Sequence, residues 1–339
     1  MRSQLTIDLR ALRHNTRRLL EAAGGAELWA VVKADGYGHG ALDCGEAALD
    51  AGASALCVAT VAEGLALRRA LPAARIVVMG PSATDELGDA RDASLELVVV
   101  ADGEIPDGVR VHLKLDTGMG RWGLSELPRP GRDVVGLMTH FATADDDLAF
   151  ARVQLERFLA ATEQFAHLTR HAANSAAVLA FPESALDAVR CGIALYGLSP
   201  FGHDPAEDGL EPVLSWVSEL AQVKRLSPGE STGYGRRFVA ESPSWIGIVP
   251  VGYADGFRRD FTGTSLLVEG IARPVVGTVS MDAVAVLLDA ELPAGTRVTI
   301  VGDGLPIVEH ARQAGTIAYE VVCGIRSEVL RARRVVVDG

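Results

Sequence analysis

The first two thirds of the chain alternate short apolar runs with amphipathic stretches. The apolar runs fall at 28–32, 55–60, 75–79, 95–100, 109–115, 134–140, 168–173 (the weakest) and 189–196. They are rich in Val, Leu and Ile and lack polar alternation, the pattern of parallel strands buried on both faces. Between them, 41–51, 61–70 and 147–166 have helical spacing. Eight such repeats within ~200 residues predict an α/β fold, a (β/α)8 TIM barrel. One repeat is damaged. After the fifth run the chain reads GLSELPRPGRD, where Pro128 and Pro130 leave little room for a helix.

From about Glu211 the rhythm changes. Runs at 214–223, 244–251, 265–268, 283–288 and 297–301 are short and separated by Pro-Gly, Asp-Gly and Ala-Gly turns. They predict a second, mostly antiparallel β domain with one helix near 307–314. The expected division is 1–210 for the barrel and 211–339 for the mostly β C-terminal domain.

Charge and composition then narrow the function. A net charge of −12 argues against nucleic-acid and anionic-membrane binding. No uncharged apolar run reaches the ~18 residues of a membrane span. The N-terminal MRSQLTIDLRALRHN has no signal-peptide core, so a cytoplasmic protein is expected. Cys44, Cys57, Cys191 and Cys323 lie far apart, without a C-x-x-C pair or a Cys/His cluster. They read as buried small hydrophobes, with no metal site. The basic residues comprise three lysines and 29 arginines. Arginine can replace lysine at most solvated positions, but not where an amine must lose its proton. That singles out Lys33, Lys114 and Lys224.

Barrel enzymes work at the C-terminal ends of their strands. The first such end is WAVVKADGYGHG, where Lys33 follows a buried strand beside Tyr37 and three glycines. A lysine there can be desolvated into a Schiff-base nucleophile, or simply point into solvent. In VHLKLDTGMGRWG, a tight Asp116–Thr117 loop aims Arg121 across the mouth, or is an ordinary surface loop. His140 ends GLMTH, a place that suits a catalyst or a satisfied core histidine. Asn174 and Ser175 precede a helix-like run, as an anion site or a plain cap. Arg190 is expected at the end of the eighth strand, with backbone N–H groups open at Gly192 and Ile193. Together these residues offer an amine, a phosphate cradle and two arginines on one rim. That set suits a phosphorylated aldehyde cofactor, pyridoxal phosphate.

The segments AVVKADGYGHG, LKLDTGMGRWG, MTHFATAD, AANSAA, VRCGIALYG, STGYGRRF, VGYADGFRRD, GTVSMD and AYEVVCG cover nearly the whole chain. In this order they resemble the bacterial alanine racemases, fold-type III pyridoxal phosphate enzymes. The resemblance implies pyridoxal 5'-phosphate-dependent interconversion of L-alanine and D-alanine, which supplies D-alanine for peptidoglycan. It also implies a head-to-tail homodimer with shared active sites. By the same resemblance, Lys33 would carry the cofactor and act as one catalytic base. Tyr234, contributed by the partner subunit, would be the other. His140 would hydrogen-bond to that tyrosine and Arg190 to the pyridine nitrogen. Tyr37, Ser175, Gly192, Ile193 and Tyr319 would hold the phosphate. Arg121 would contact the cofactor's phenolic oxygen and the substrate carboxylate. Met281, with Asp282 beside it, would line the substrate pocket. Tyr253 and Tyr319 would narrow the approach, with Asp145 and Arg259 further out. Lys114 matches a lysine often carried as a carbamate. Two departures stand out: the segment from Arg121 to His140 is short, and Thr278 replaces an arginine found in some members. They leave a broader racemase, acting on serine or lysine, as the alternative.

Overall fold

The computed structural model describes residues 2–103, 105–327 and 330–338. The chain forms two compact units. One is Ala11–Glu211; the other joins the residues up to Arg10 to those from Pro212 onward. The first strand, β1 (Ser3–Asp8), therefore belongs to the second unit, not to the barrel as the expected 1–210 boundary has it. Its alternating buried and half-buried positions suit a sheet with two unlike faces.

The Ala11–Glu211 unit is a closed barrel of eight parallel strands. They are β2 (Glu27–Val31), β3 (Ala55–Val58), β4 (Ile76–Val78), β5 (Glu96–Val99), β6 (Val111–Lys114), β7 (Val134–Met138), β8 (Thr169–His171) and β9 (Ala188–Cys191). Pairing of β2 with β9 closes the ring. Each expected apolar run overlaps one of these strands. The last run divides, because after β9 the chain turns at Gly192 into a short 3-10 segment, Ile193–Tyr196.

Local chemistry sets the helix ends. Thr60 caps Val61–Ala70, and Glu63 reaches back to complete a capping box. Asp147 caps Leu148–Thr162. No helix joins β6 to β7, as the two prolines predict. Among the described residues, none joins β5 to β6 either, so a second repeat is trimmed. The space beside the first gap is an open depression of about 740 Å³, floored by Thr117 and Leu127 and walled by Arg157 and Phe165.

The second unit adds β10 (Leu214–Glu219), β11 (Gln222–Leu226), β12 (Ser231–Thr232), β13 (Phe238–Val239), β14 (Ser244–Val249), β15 (Ser265–Val268), β16 (Ile271–Val276), β17 (Val284–Leu288), β18 (Arg297–Val301) and β19 (Arg333–Val337). Its main sheet runs β11-β14-β17-β16-β15-β18-β10-β1-β19. Every pair in it is antiparallel except β1 with β19. The run at 214–223 proves to be two strands with a turn between them. The unit also has two helices, Ile307–Gln313 and Ala318–Gly324, where one was expected. Among the described residues, no helix is long and apolar enough to cross a membrane. Cys44, Cys57 and Cys191 are buried as expected, but Cys323 is exposed.

Candidate active site

Lys33 stands two residues beyond β2, where the strand passes into an unusual turn. From Ala34 to Gly38 the backbone is left-handed, with φ of 52, 51, 61, 54 and 80°. For residues with a Cβ this costs about 1–2 kcal/mol each, so the surroundings must hold it. They do so with specific bonds. Ala34 N donates to Glu63 Oε1 at 2.8 Å, and Ala41 N to Asp35 Oδ1 at 2.8 Å. His39 Nδ1–H donates to the Tyr37 carbonyl at 2.9 Å. Behind the turn, the Tyr196 hydroxyl donates to the Val31 carbonyl at 3.0 Å. The Tyr196 ring packs 5.1 Å from that of Tyr37.

Tyr37 points from this turn at the β9 end. A Cβ on Gly192 would stand 2.5 Å from the Tyr37 hydroxyl, so only glycine lets that hydroxyl come so close to the backbone. Ser175 Oγ accepts from Gly192 N at 3.0 Å and Ala194 N at 3.4 Å. The Gly192 N–H is thus engaged rather than open. Asn174 caps the short helix Ser175–Ala180 through Ala177 N. Two hydroxyls and two backbone N–H groups therefore converge in one small cradle.

The cationic side chains gather on the same rim. Burial pulls the buried Lys114 amine down to about 8, and Arg121 and Arg190 add to the effect. Lys114 Nζ lies 5.9 Å and Arg121 Cζ 5.6 Å from the Trp122 ring centre. The loop between them is gathered by Asp116 Oδ1, which accepts from Gly118, Met119 and Gly120 N–H groups. Burial would raise the Asp116 carboxyl, but these bonds hold it below its usual value. Burial, then the charge of Arg190, pushes His140 well below the ordinary 6.5; Lys114, Arg121 and Lys33 act in the same direction. Asp145 is exposed in the turn before Leu148–Thr162.

Arg190 is the hub of the buried side. Its Nη2 donates to the carbonyls of Thr139 (2.8 Å) and Ala172 (3.1 Å) and to His140 Nδ1 (3.2 Å). Its Nη1 donates to His171 Nδ1 at 2.8 Å. These bonds do not use Nε. His171 continues to His112 at 3.0 Å and His112 to Glu96 at 2.9 Å. Sequence reasoning missed Glu63, Glu96, His112, His171 and Tyr196. Of these only Glu63 carried a local signal, the T-x-x-E capping pattern.

The other predicted residues lie in the second unit. Tyr234, Tyr253 and Met281 are exposed at 74%, 44% and 52%. Thr278 Oγ1 donates to the Tyr234 carbonyl, and the 252–254 turn is bonded to Ser280 and Met281. The three loops thus form one clasped surface. Asp282 accepts from Arg331 at 2.9 Å, and the buried Asp255 joins Arg331 and Arg2 beside it. Arg259 is exposed and lines a concavity of about 600 Å³ with Tyr253, Thr278 and Arg326. Tyr319 is half-buried on Ala318–Gly324.

A closed barrel with a lysine, an anion cradle and clustered cations on its rim, followed in sequence by a mostly β domain, defines a class of barrel enzyme. Residues 7–200 match the family described as alanine racemase, N-terminal domain, and residues 213–333 its C-terminal domain. The chain belongs to the alanine racemase family. An alanine racemase from Lactiplantibacillus plantarum is 39% identical, over 97% of this chain and 96% of that protein. One from Symbiobacterium thermophilum is 39% identical, over 96% and 95%. The crystal structure of alanine racemase from Streptomyces lavendulae superimposes with a TM-score of 0.91 at 35% identity, covering 100% of this chain and 98% of that one.

Proposed function

We propose that the protein interconverts L-alanine and D-alanine with pyridoxal 5'-phosphate, as a homodimer, and supplies D-alanine for peptidoglycan. The observation that carries this reading is the shared rim of Lys33 and the cradle of Tyr37, Ser175 and Gly192. Glycine at 192 lets the Tyr37 hydroxyl come close beside the Ser175 hydroxyl and the Gly192 and Ala194 N–H groups, a donor set whose chemistry suits a phosphate. In the bound state, Lys33 would hold the cofactor, Ser175, Tyr37, Gly192, Ile193 and Tyr319 its phosphate, and Arg190 its ring nitrogen through Nε. The bound group supplies an aldehyde for the substrate amine and a ring that delocalises the electron pair left at Cα.

The rest is done by side chains. Lys33 Nζ and the Tyr234 hydroxyl of a second copy take and return the Cα proton on opposite faces, so the substrate need not turn over. Exposure of Tyr234, Tyr253 and Met281 supports a second copy covering that surface. Arginine only donates, so the Arg190 bond leaves His140 Nδ1 unprotonated. A neutral His140 then carries its proton on Nε2 and donates it towards the tyrosine oxygen, which favours the phenolate. Arg121 positions the substrate carboxylate. Lys114, with its lowered pKa, gives up its proton more readily, which favours the neutral amine that carbamate formation requires.

The test is direct. Purified protein should absorb in the visible with bound cofactor, lose that band in Lys33→Ala, and convert L- to D-alanine. A colourless protein that gains no activity with added cofactor would refute the proposal. Thr278 favours a second reading, a broader racemase for serine or lysine. Alanine failing while serine or lysine turns over would select it.

A further inference from the structure

A line of buried polar groups crosses the barrel interior beneath the rim. It starts at Arg190, passes through His171 and His112, and ends at Glu96 at the start of β5. The links are 2.8, 3.0 and 2.9 Å. Both histidines are fully buried, and Arg190 and Glu96 nearly so. The space is built for them. Gly136 on β7 has no alternative, because a Cβ there would stand 2.2 Å from His112 Nδ1. The Trp29 ring packs against both imidazoles, at 5.5 Å from His112 and 4.5 Å from His171.

The proton positions follow from donor chemistry alone. A guanidinium only donates, so His171 Nδ1 must accept. A neutral His171 then carries its proton on Nε2 and donates to His112 Nδ1. His112 in turn carries its proton on Nε2 and donates to the Glu96 carboxylate. Each link leaves one tautomer. Arg190 also faces His140 and the carbonyls of Thr139 and Ala172, all neutral acceptors. Glu96 also faces Arg75 at 3.0 Å and Arg110 at 3.4 Å, near the opposite end of the barrel. The buried guanidinium thus touches no carboxylate in this network, and the carboxylate reaches it through two oriented imidazoles.

We infer that Glu96, acting through His112 and His171, is the remote counter-charge of Arg190 and a positioning residue for the reaction. This rests on the reading that Arg190 meets the cofactor's ring nitrogen. The line anchors Nη1 while the Thr139, His140 and Ala172 bonds anchor Nη2, so the guanidinium is held against rotation and its Nε, which these bonds do not use, is held in one place. It also polarises the Arg190 donors, because aligned hydrogen bonds in a low-dielectric interior reinforce one another.

The experiment uses the holoenzyme with ¹⁵N-labelled histidine, alongside Glu96→Gln and Glu96→Asp. In the wild type, His112 and His171 should both be neutral with the proton on Nε2. Glu96→Gln keeps an acceptor oxygen but loses the charge. It should fold and hold cofactor, with kcat lowered about three- to thirtyfold and KM nearly unchanged. Its visible cofactor band should shift, and Glu96→Asp should restore part of both. A folded Glu96→Gln with wild-type kcat and spectrum would overturn the inference. So would an Nδ1 proton or a cationic ring on either histidine of the wild type, a result that needs no variant to fold. Wild-type protein that binds no cofactor would refute the functional reading instead, since the histidine tautomers can be read on the cofactor-free protein as well.

Discussion

The Tyr196 hydroxyl donates to the carbonyl oxygen of Val31 at 3.0 Å, joining the end of the 3-10 segment after β9 to the last residue of β2. Lys33 lies two residues further on. The bond therefore fixes the strand end from which the left-handed turn springs, and the Tyr196 ring backs Tyr37 within that turn. Tyr196→Phe keeps the ring and removes the bond, at a cost of about 1 kcal/mol. We expect a small fall in urea resistance and faster loss of cofactor on dilution, with kcat of the loaded enzyme little changed. Equal release rates in wild type and variant would show that the turn holds itself.

Acid should unfold the barrel in two stages. Burial holds His112 below 6.5 and, with Arg190 next, His171 well below it. As pH falls through 6.5, the unfolded chain gains protons that the folded chain refuses, so stability drops. Glu96 follows lower down. Burial would raise it, but hydrogen bonds from His112 and Arg75 hold it at about 2 against 4.5. Its contribution is complete above 4.5 and is lost as pH falls towards 2. Urea midpoints from pH 8 to 4 should decline, and His171→Gln should flatten the upper part of the slope. A flat profile in the wild type would contradict the buried neutral histidines.

Lys114 should act at the alkaline end. Its folded pKa of about 8 lies below the ordinary 10.5. Between these values the unfolded chain binds the proton and the folded chain does not, so stability rises with pH across that window. Lys114→Met should abolish this rise. Bicarbonate labelled with ¹³C should give a carbamate resonance in the wild type and none in the variant. A Lys114→Met protein with the wild-type alkaline slope would place the titration elsewhere.

Gly136→Ala tests the packing around His112. The added methyl has no room, and overpacking of this kind costs about 1–3 kcal/mol. Gly131→Ala is the control, because nothing lies within 4 Å of its Cβ position. Thermal unfolding should separate the two clearly. Equal melting temperatures would mean that the His112 ring is free to move aside.

The sequence revealed the fold better than the site's support. Buried parallel strands announce themselves as unbroken apolar runs, so the runs overlapping β2 to β9 were legible. The strand β16 was not, because Pro274 and Arg273 break its pattern. β1 has clean alternation, yet nothing local says that its partner is β10. The positions of Lys33 and Arg190 at strand ends could be read from the apolar runs beside them. Glu96, His112 and His171 sit singly in three different strands, and a histidine in an apolar run looks like any satisfied core residue. What joins them is barrel closure, which carries no periodic mark. Tyr196 was read as packing alone, since a hydroxyl's acceptor 165 positions away in sequence cannot be seen in a string.

The place of β1 bears on how the protein is made. Ser3 pairs with Ser218 and Gln4 with Arg333, so β1 lies between two strands that follow it far along the sequence. The Ala11–Glu211 unit needs no residue outside itself to close its ring. During vectorial synthesis the barrel can close on the ribosome, while β1 waits unpaired at least until β10 has been made. Its β19 edge can be completed only once β19 itself has been made. The docking of β19 against β1 thus follows that of β10, and a chain cut before β19 would leave that edge open to association with other nascent chains.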